Sequence, residues 1–307
     1  MAAHSHTPAN PHTHANPHTH DGIDWSNRLT TFRRADELDA ENRRVVARRL
    51  VRPLPETPTV VDVGSGAGGM AVALVEALAA RGGGTVVLVD AVPELLDAAT
   101  TAARAAAAYE PKPVHVRPVL ADVATERVLD LVGPVDLVWA ARVVHHLPDE
   151  RAAVASLVDA LASDGWLALG EGGLEPQFLP WDLGVGEPGL PHRLMAARAE
   201  WFVRMKQDIQ GVVPLPVGWN VVLTDAGLLD VTAFSYLNDQ PAPASSLVKE
   251  WAVEQLRWLA EVGADRLHPA DRRTVARLLD PDDTAYVGAR DDVYLLSAST
   301  IHLGRKP

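Results

Sequence analysis

The run Val60-Val61-Asp62-Val63-Gly64-Ser65-Gly66-Ala67-Gly68-Gly69 is built to grip a ligand with its backbone. Glycines let the chain turn sharply and let a ligand lie against main-chain amides at the start of the following helix. Spacing alone leaves the ligand open, because Gly64, Gly66 and Gly69 also satisfy the dinucleotide fingerprint G-x-G-x-x-G. Asp90 ends the next apolar run, where a carboxylate accepts both hydroxyls of a ribose. Asp122, just past a third run, is placed to accept from an adenine amino group. Asp62 stands two residues before the first glycine. Its charge would repel a diphosphate and attract a cation.

A second group of residues has the chemistry of proton transfer and substrate capture. His145 and His146 follow the fourth apolar run, at the end of the sheet where open α/β folds build their sites. An imidazole titrates near neutrality and suits removal of a proton from an oxygen, nitrogen or activated carbon. Neighbouring residues of a helical turn point about 100° apart, so one of the two reaches the cleft. The alternative is that both pack against or cap the next helix. Glu171, ending the fifth run, is expected to orient a histidine, bind an amine or bond to loop amides. Arg142 on the same rim, or Arg193 and Arg204 further on, are candidates to clamp a carboxylate bidentately, against surface pairing as their plainer fate. Trp181 and Trp201 are candidates for the acceptor wall or for the core, and Trp25 for a lid or an outer helix.

The elements that hold these residues alternate strand with helix. Strands are expected at Thr59–Val63, Thr85–Val89, Val114–Leu120, Val135–Ala140 and Trp166–Leu169, with helices at Met70–Arg81, from Pro93 through Ala108, and at Arg151–Ala162. That rhythm calls for a parallel sheet covered on both faces. Gly172–Pro191, rich in Gly and Pro, reads as an ordered loop. After it come a helix with Trp201 and Phe202, a short helix ending at Ala226-Gly227, a strand at Asp230–Ser235, helices around Val248–Val262 and Arg272–Leu279, and a last strand at Val293–Thr300. The expected organisation is a His-rich tail over 1–22, a helical cap over 23–58, a nucleotide-binding core over 59–170, a substrate cover over 171–220, and terminal strands with a helical insertion over 221–307.

Composition narrows the partners. Of 307 residues, 47% are hydrophobic and 22% charged, as in an ordinary globular protein. A net charge of −12 provides no general basic field for a phosphate backbone, so nucleic acid is not an expected partner. Cysteine is absent, which removes disulfides, thiolate catalysis and cysteine zinc sites and fits a reducing cytoplasm. Neither a signal peptide nor a membrane span is expected. Six of the twelve histidines lie in the first twenty residues, in the near repeat Ala9-Asn10-Pro11-His12-Thr13-His14 and Ala15-Asn16-Pro17-His18-Thr19-His20. That tail reads as a solvated, disordered segment, with divalent metal on its His-x-His pairs as the alternative. No metal is expected at the site itself. The abundance of Ala, Arg, Val and Gly points to a GC-rich bacterial genome.

From Thr59 to Gly170 the chain resembles the class I S-adenosylmethionine-dependent methyltransferases. Asp62 to Gly68 matches their pattern Asp/Glu-x-Gly-x-Gly-x-Gly, and Asp136 to Asp149 looks like their motif after the fourth strand. Asp164-Gly165-Trp166 replaces their usual Pro-Gly-Gly turn. The chain also resembles bacterial members sharing Glu171-Gly172-Gly173-Leu174 and Phe178-Leu179-Pro180. The resemblance implies a doubly wound, mostly parallel sheet of seven strands with an α-helical cover. It implies that Asp62, Gly64, Ser65, Gly66 and Gly68 hold the methionine part of S-adenosylmethionine. Asp90 would take the ribose and Asp122 with Val123 the adenine, with Ala91 and Ala140 also among the cofactor-binding residues. It prefers His145 over His146 as base. The expected reaction is methyl transfer to an oxygen, nitrogen or carbon of a small organic acceptor, as in bacterial specialised metabolism, with S-adenosylhomocysteine as product. A homodimer is compatible with the sequence. The rivals are an NAD-dependent oxidoreductase and a non-methylating protein, sensor or cyclase, that keeps the adenosyl pocket.

Overall fold

A computed structural model describes residues 28–307. The His-rich tail and Trp25 lie outside the described residues. Two helices come first, α1 (Leu29–Leu38) and α2 (Ala40–Val51), followed by β1 (Thr59–Val63), α3 (Gly69–Ala79), β2 (Gly84–Asp90), α4 (Pro93–Ala108), β3 (Val114–Leu120), α5 (Val128–Val132) and β4 (Val135–Ala141). A 3-10 turn (Val144–His146) leads into α6 (Glu150–Asp159), β5 (Leu161–Gln177), α7 (Leu190–Asp208), α8 (Trp219–Asp225), β6 (Leu229–Gln240), α9 (Ser246–Val262), α10 (Pro269–Leu279) and β7 (Leu295–Arg305).

The seven strands form one sheet in the order β3-β2-β1-β4-β5-β7-β6. β1 to β5 run parallel, and β7 is antiparallel to both its neighbours. Alternate residues of each strand point to opposite faces, so Val60, Val86, Leu88 and Leu137 pack under α2, α3 and α4. Val61, Val63, Val87, Val89 and Val138 pack against α5, α6 and α8. Burial on both faces explains why the strands read as nearly unbroken apolar runs. A third core joins Leu38, Phe178, Leu190, Leu194, Trp251, Leu256, Leu259 and Leu278. The cover expected over 171–220 and the helices inserted before β7 share this core.

The largest departure from expectation is β5, which runs on to Gln177 through the glycines read as the start of a loop. Glycine and proline break isolated strands, yet here β7 supplies ladder partners, with Gly173 opposite Ser299 and a register shift on either side. A Cβ on Gly173 would lie 2.0 Å from the Ala298 carbonyl oxygen, so the glycine permits a close approach of two strands. β6 and β7 likewise extend past the expected Asp230–Ser235 and Val293–Thr300, and α6 stops at Asp159 rather than Ala162.

Candidate active site

β1 delivers its glycine loop against β2. The Gly64 amide donates to the Val89 carbonyl at 2.7 Å, and Gly68, at φ +95°, caps the start of α3. Asp90 accepts from the Gly66 amide at 2.9 Å and the Val92 amide at 3.0 Å, so its carboxylate braces the loop from below. Burial pushes the Asp90 carboxyl up, and these amides pull it back. Asp122 accepts from the Ala124 amide at 2.8 Å in the turn after β3, and Ala121 ties that turn to the Asp90 carbonyl. Ala91 and Val123 lie beside these two acids, and Ala140 is buried near the end of β4.

Asp62 is 2% exposed, and its Oδ2 has no hydrogen-bond partner. The buried Ser65 Oγ also lacks one. A buried polar atom without a partner is costly, and such atoms mark places where a ligand supplies what is missing. Desolvation pushes the Asp62 carboxyl up to about 8; Arg43 opposes this, while Asp90 and Asp36 add to it.

Arg43 and Asp36 are functional candidates that the sequence did not disclose. Arg43, from α2, pairs with Asp36 and lies 3.5 Å from Asp39. Asp36, from α1, accepts from the Gly69 amide at 2.9 Å, on the first turn of α3. Tyr236 of β6 donates to Asp39 at 2.9 Å, which ties the network to the far edge of the sheet. In the sequence these are a few charges among many on two helices with charged faces. Only their docking over the glycine loop singles them out.

A cavity of about 730 Å³ opens beside this cluster. Arg43, Arg142, His145, Glu171, Phe202 and Trp258 are among the residues around it. His145 Nδ1 is 2.6 Å from Glu171 Oε2, and Glu171 Oε1 accepts from the Val143 and Val144 amides at 3.2 and 3.1 Å. Glu171 is 3% exposed, so all the partners of its two oxygens matter. Lys206 of α7 donates to the His145 carbonyl and to Glu150, both at 2.8 Å, and so clamps the turn from the cover side. The His146 ring packs 4.0 Å from that of His145.

The other expected substrate residues are placed elsewhere. Arg193 holds Asp271 through two bonds of 2.8 and 2.9 Å and caps the Pro188 and Glu187 carbonyls, so it joins α7 to α10 instead of clamping an acceptor. Trp181 is 62% exposed and outside the cavity wall, and Arg204 is exposed. Trp201 stacks edge-on at 5.9 Å behind Trp258, which lines the cavity in its place. The aromatic wall is instead Phe32, Phe202, Trp219, Trp251 and Trp258. Those positions carry the same helical periodicity as core residues, so sequence spacing does not separate them. Arg193→Ala is expected to cost about 2 kcal/mol in denaturant titrations, since it leaves the buried Asp271 unpaired. Unchanged stability would mean that Asp271 does not need its partner.

Residues 61–167 match a family model described as a methyltransferase domain. No curated protein matches the chain. Among solved structures, the chain is similar to YcgJ from Bacillus subtilis, at 17% identity over 87% of this chain and 99% of that one, with a TM-score of 0.47. It is also similar to the N-methyltransferase NodS from Bradyrhizobium japonicum in complex with S-adenosylhomocysteine, at 15% identity over 87% of each chain, TM-score 0.43. A third is the [4+2]-cyclase SpnF, at 15% identity over 86% of this chain and 81% of that one, TM-score 0.43.

Proposed function

We propose that this chain, which carries a methyltransferase domain over residues 61–167, binds S-adenosylmethionine at the glycine loop and methylates a small organic acceptor in the adjoining cavity. The observation that carries this reading is the ring of carboxylates around the loop. The Gly69 amide, at the helix start where a dinucleotide diphosphate would sit, already donates to Asp36. Asp62 and Asp90 stand beside it. A diphosphate would meet the charge of Asp36 and keep Asp62 in its neutral form, whereas a sulfonium and an ammonium favour the ionised form of Asp62. Asp62 Oδ2 and Ser65 Oγ, buried without partners, fit a donor-rich ligand, and Gly66 faces open space into which such a ligand fits.

When bound, S-adenosylmethionine supplies a methyl group that leaves its sulfur without the bonding electrons, so a lone pair on the acceptor takes it and neutral S-adenosylhomocysteine remains. The protein's part is to orient and to hold a proton. Asp90 is placed for the ribose, Asp122 and Val123 for the adenine, and Asp62 for the ammonium. With Nδ1–H donated to Glu171, His145 presents the lone pair of Nε2 to the cavity and receives the acceptor's proton. The cavity lies within the ~300–1,000 Å³ usual for small-molecule sites, which favours a small acceptor. Among the described residues no helix is long and apolar enough to cross a membrane.

Proton linkage tests the cofactor assignment. The Asp62 carboxyl stands at about 8 against an ordinary 3.8, so the folded protein holds a proton there that the unfolded chain gives up. Stability on this account falls as pH rises through that window, and it falls less in Asp62→Asn. An ammonium placed beside Asp62 favours the charged form. Titration with S-adenosylhomocysteine near pH 7 is therefore expected to release up to one proton, read calorimetrically in buffers of different ionisation enthalpy. Asp62→Asn should bind more weakly and release none. Saturable binding of NADH without binding of either adenosyl ligand would sink the reading.

A further inference from the structure

Arg142 stands apart from the other arginines around the cavity. It is a non-glycine residue in the left-handed region, at φ +56°, directly after β4. Its amide is fixed to the Gly170 carbonyl of β5 at 3.0 Å, so the strained turn is held by the sheet itself. Strain of that kind at a cleft rim is kept where the direction of a side chain matters. Arg43 is paired with Asp36, and Arg198 with Glu175 at 2.7 Å. Arg142, an exposed residue, lines the same cavity, and among the described residues no carboxylate pairs with it. Glu171, an acid of the same lining, is engaged by His145 and two backbone amides.

An arginine that loses water when a ligand fills the cavity needs an anion in exchange, and its planar fork matches a carboxylate through two parallel hydrogen bonds. Arg142 and His145 belong to one short turn, so an anion on the first leaves its neighbouring atoms near the second. Phe202, whose ring lies 6.0 Å from that of His145, lines the cavity together with Trp251 and Trp258 and offers apolar ring surface. Arg28 and Arg257 line the cavity too, and its five arginines are balanced by five acids, so what sets Arg142 apart is its strained place on the His145 turn.

We propose that the methyl acceptor is an aromatic monocarboxylic acid, its carboxylate on Arg142, its ring against Phe202 and Trp258, and its hydroxyl or amino group at His145. The proposal rests on the methyl-transfer reading and specifies its acceptor. The transferred methyl forms a bond to that oxygen or nitrogen as its bond to sulfur breaks. The proton displaced from the heteroatom passes to His145 Nε2, and the carboxylate keeps its charge throughout.

Benzoate, which carries the anion and ring without a nucleophile, is the probe. Its binding to the protein loaded with S-adenosylhomocysteine is followed by the fluorescence of Trp219, Trp251 and Trp258, beside neutral benzamide and dianionic phenyl phosphate. Benzoate is expected to bind at least tenfold more tightly than benzamide. Arg142→Ala should erase that gap with an unchanged thermal midpoint, and Arg142→Lys should restore part of it. Among 2-, 3- and 4-hydroxy- and aminobenzoates, at least one acid should accept labelled methyl while its methyl ester does not. Equal affinity for benzoate and benzamide, a gap that survives Arg142→Ala, tighter binding of phenyl phosphate, or no methylated acid would each overturn the proposal. A wild-type protein that fails to bind S-adenosylhomocysteine would instead count against the methyl-transfer reading, and the benzoate titration on ligand-free protein would still judge Arg142.

Discussion

Alanine in place of His145 is expected to lower the rate of methyl transfer by ~10²–10⁴-fold, the range for loss of a positioned general base. Affinity for S-adenosylhomocysteine should be unaffected, because His145 lines the cavity proposed for the acceptor and not the glycine loop. The side chain is 23% exposed, enough to reach an acceptor, and its Nδ1 is held at 2.6 Å by a carboxylate that is itself fixed by two backbone amides. A proton on Nδ1, donated to that carboxylate, leaves the lone pair on Nε2. Glu171→Gln keeps the shape and loses the charge, so a fall of ~10-fold or more in kcat with little change in KM is expected, as for a group that orients a base without touching the acceptor. Single-turnover transfer of labelled methyl measures both. Full activity in His145→Ala would leave catalysis to proximity and orientation alone.

Two glycines of the same loop should respond in opposite ways to alanine. At Gly68, φ is +95° and the added Cβ would lie 2.7 Å from the Ala99 backbone in α4. The left-handed conformation and the overlap with main chain together are expected to cost about 3 kcal/mol or more, seen as a large drop in the denaturation midpoint. At Gly66, φ is +55° and the added Cβ meets nothing within 4 Å. Stability should fall by only ~1 kcal/mol there. Affinity for S-adenosylhomocysteine should nonetheless fall at least tenfold, because the methyl group points into space assigned to the ligand. If Gly66→Ala bound the ligand like wild type, the cofactor would not lie against that loop. If Gly68→Ala were as stable as wild type, α3 and α4 would have to move apart more readily than their packing implies.

The local features of this chain were legible because they arise from near neighbours in sequence. The glycine loop, the acid ending β2 and the alternation of buried strands with helices each depend on a few consecutive residues. Arg43 shows the limit. Its chemistry depends on Asp36 seven residues away and on Asp62 in another element, and both distances are products of packing. Arg193 shows the reverse error, since its partner Asp271 lies in α10 and nothing near Arg193 in sequence announces it. The glycines of β5 misled for a related reason. Their intrinsic preference is for turns, and the ladder from β7 overrode it.

By itself, then, the sequence determined the glycine loop after β1, the order of strands and helices along the chain, and the absence of any cysteine chemistry. Backbone conformation and hydrophobic period are local properties, so residue order carries them directly. The tertiary structure alone decided which charges stand together. It set Asp36 and Arg43 over the glycine loop, closed Glu171 onto His145, withdrew Arg193 from the cavity and left Arg142 facing it without a counter-ion. Charge pairing depends on distance and on burial, and both are settled only when elements far apart in sequence pack against one another.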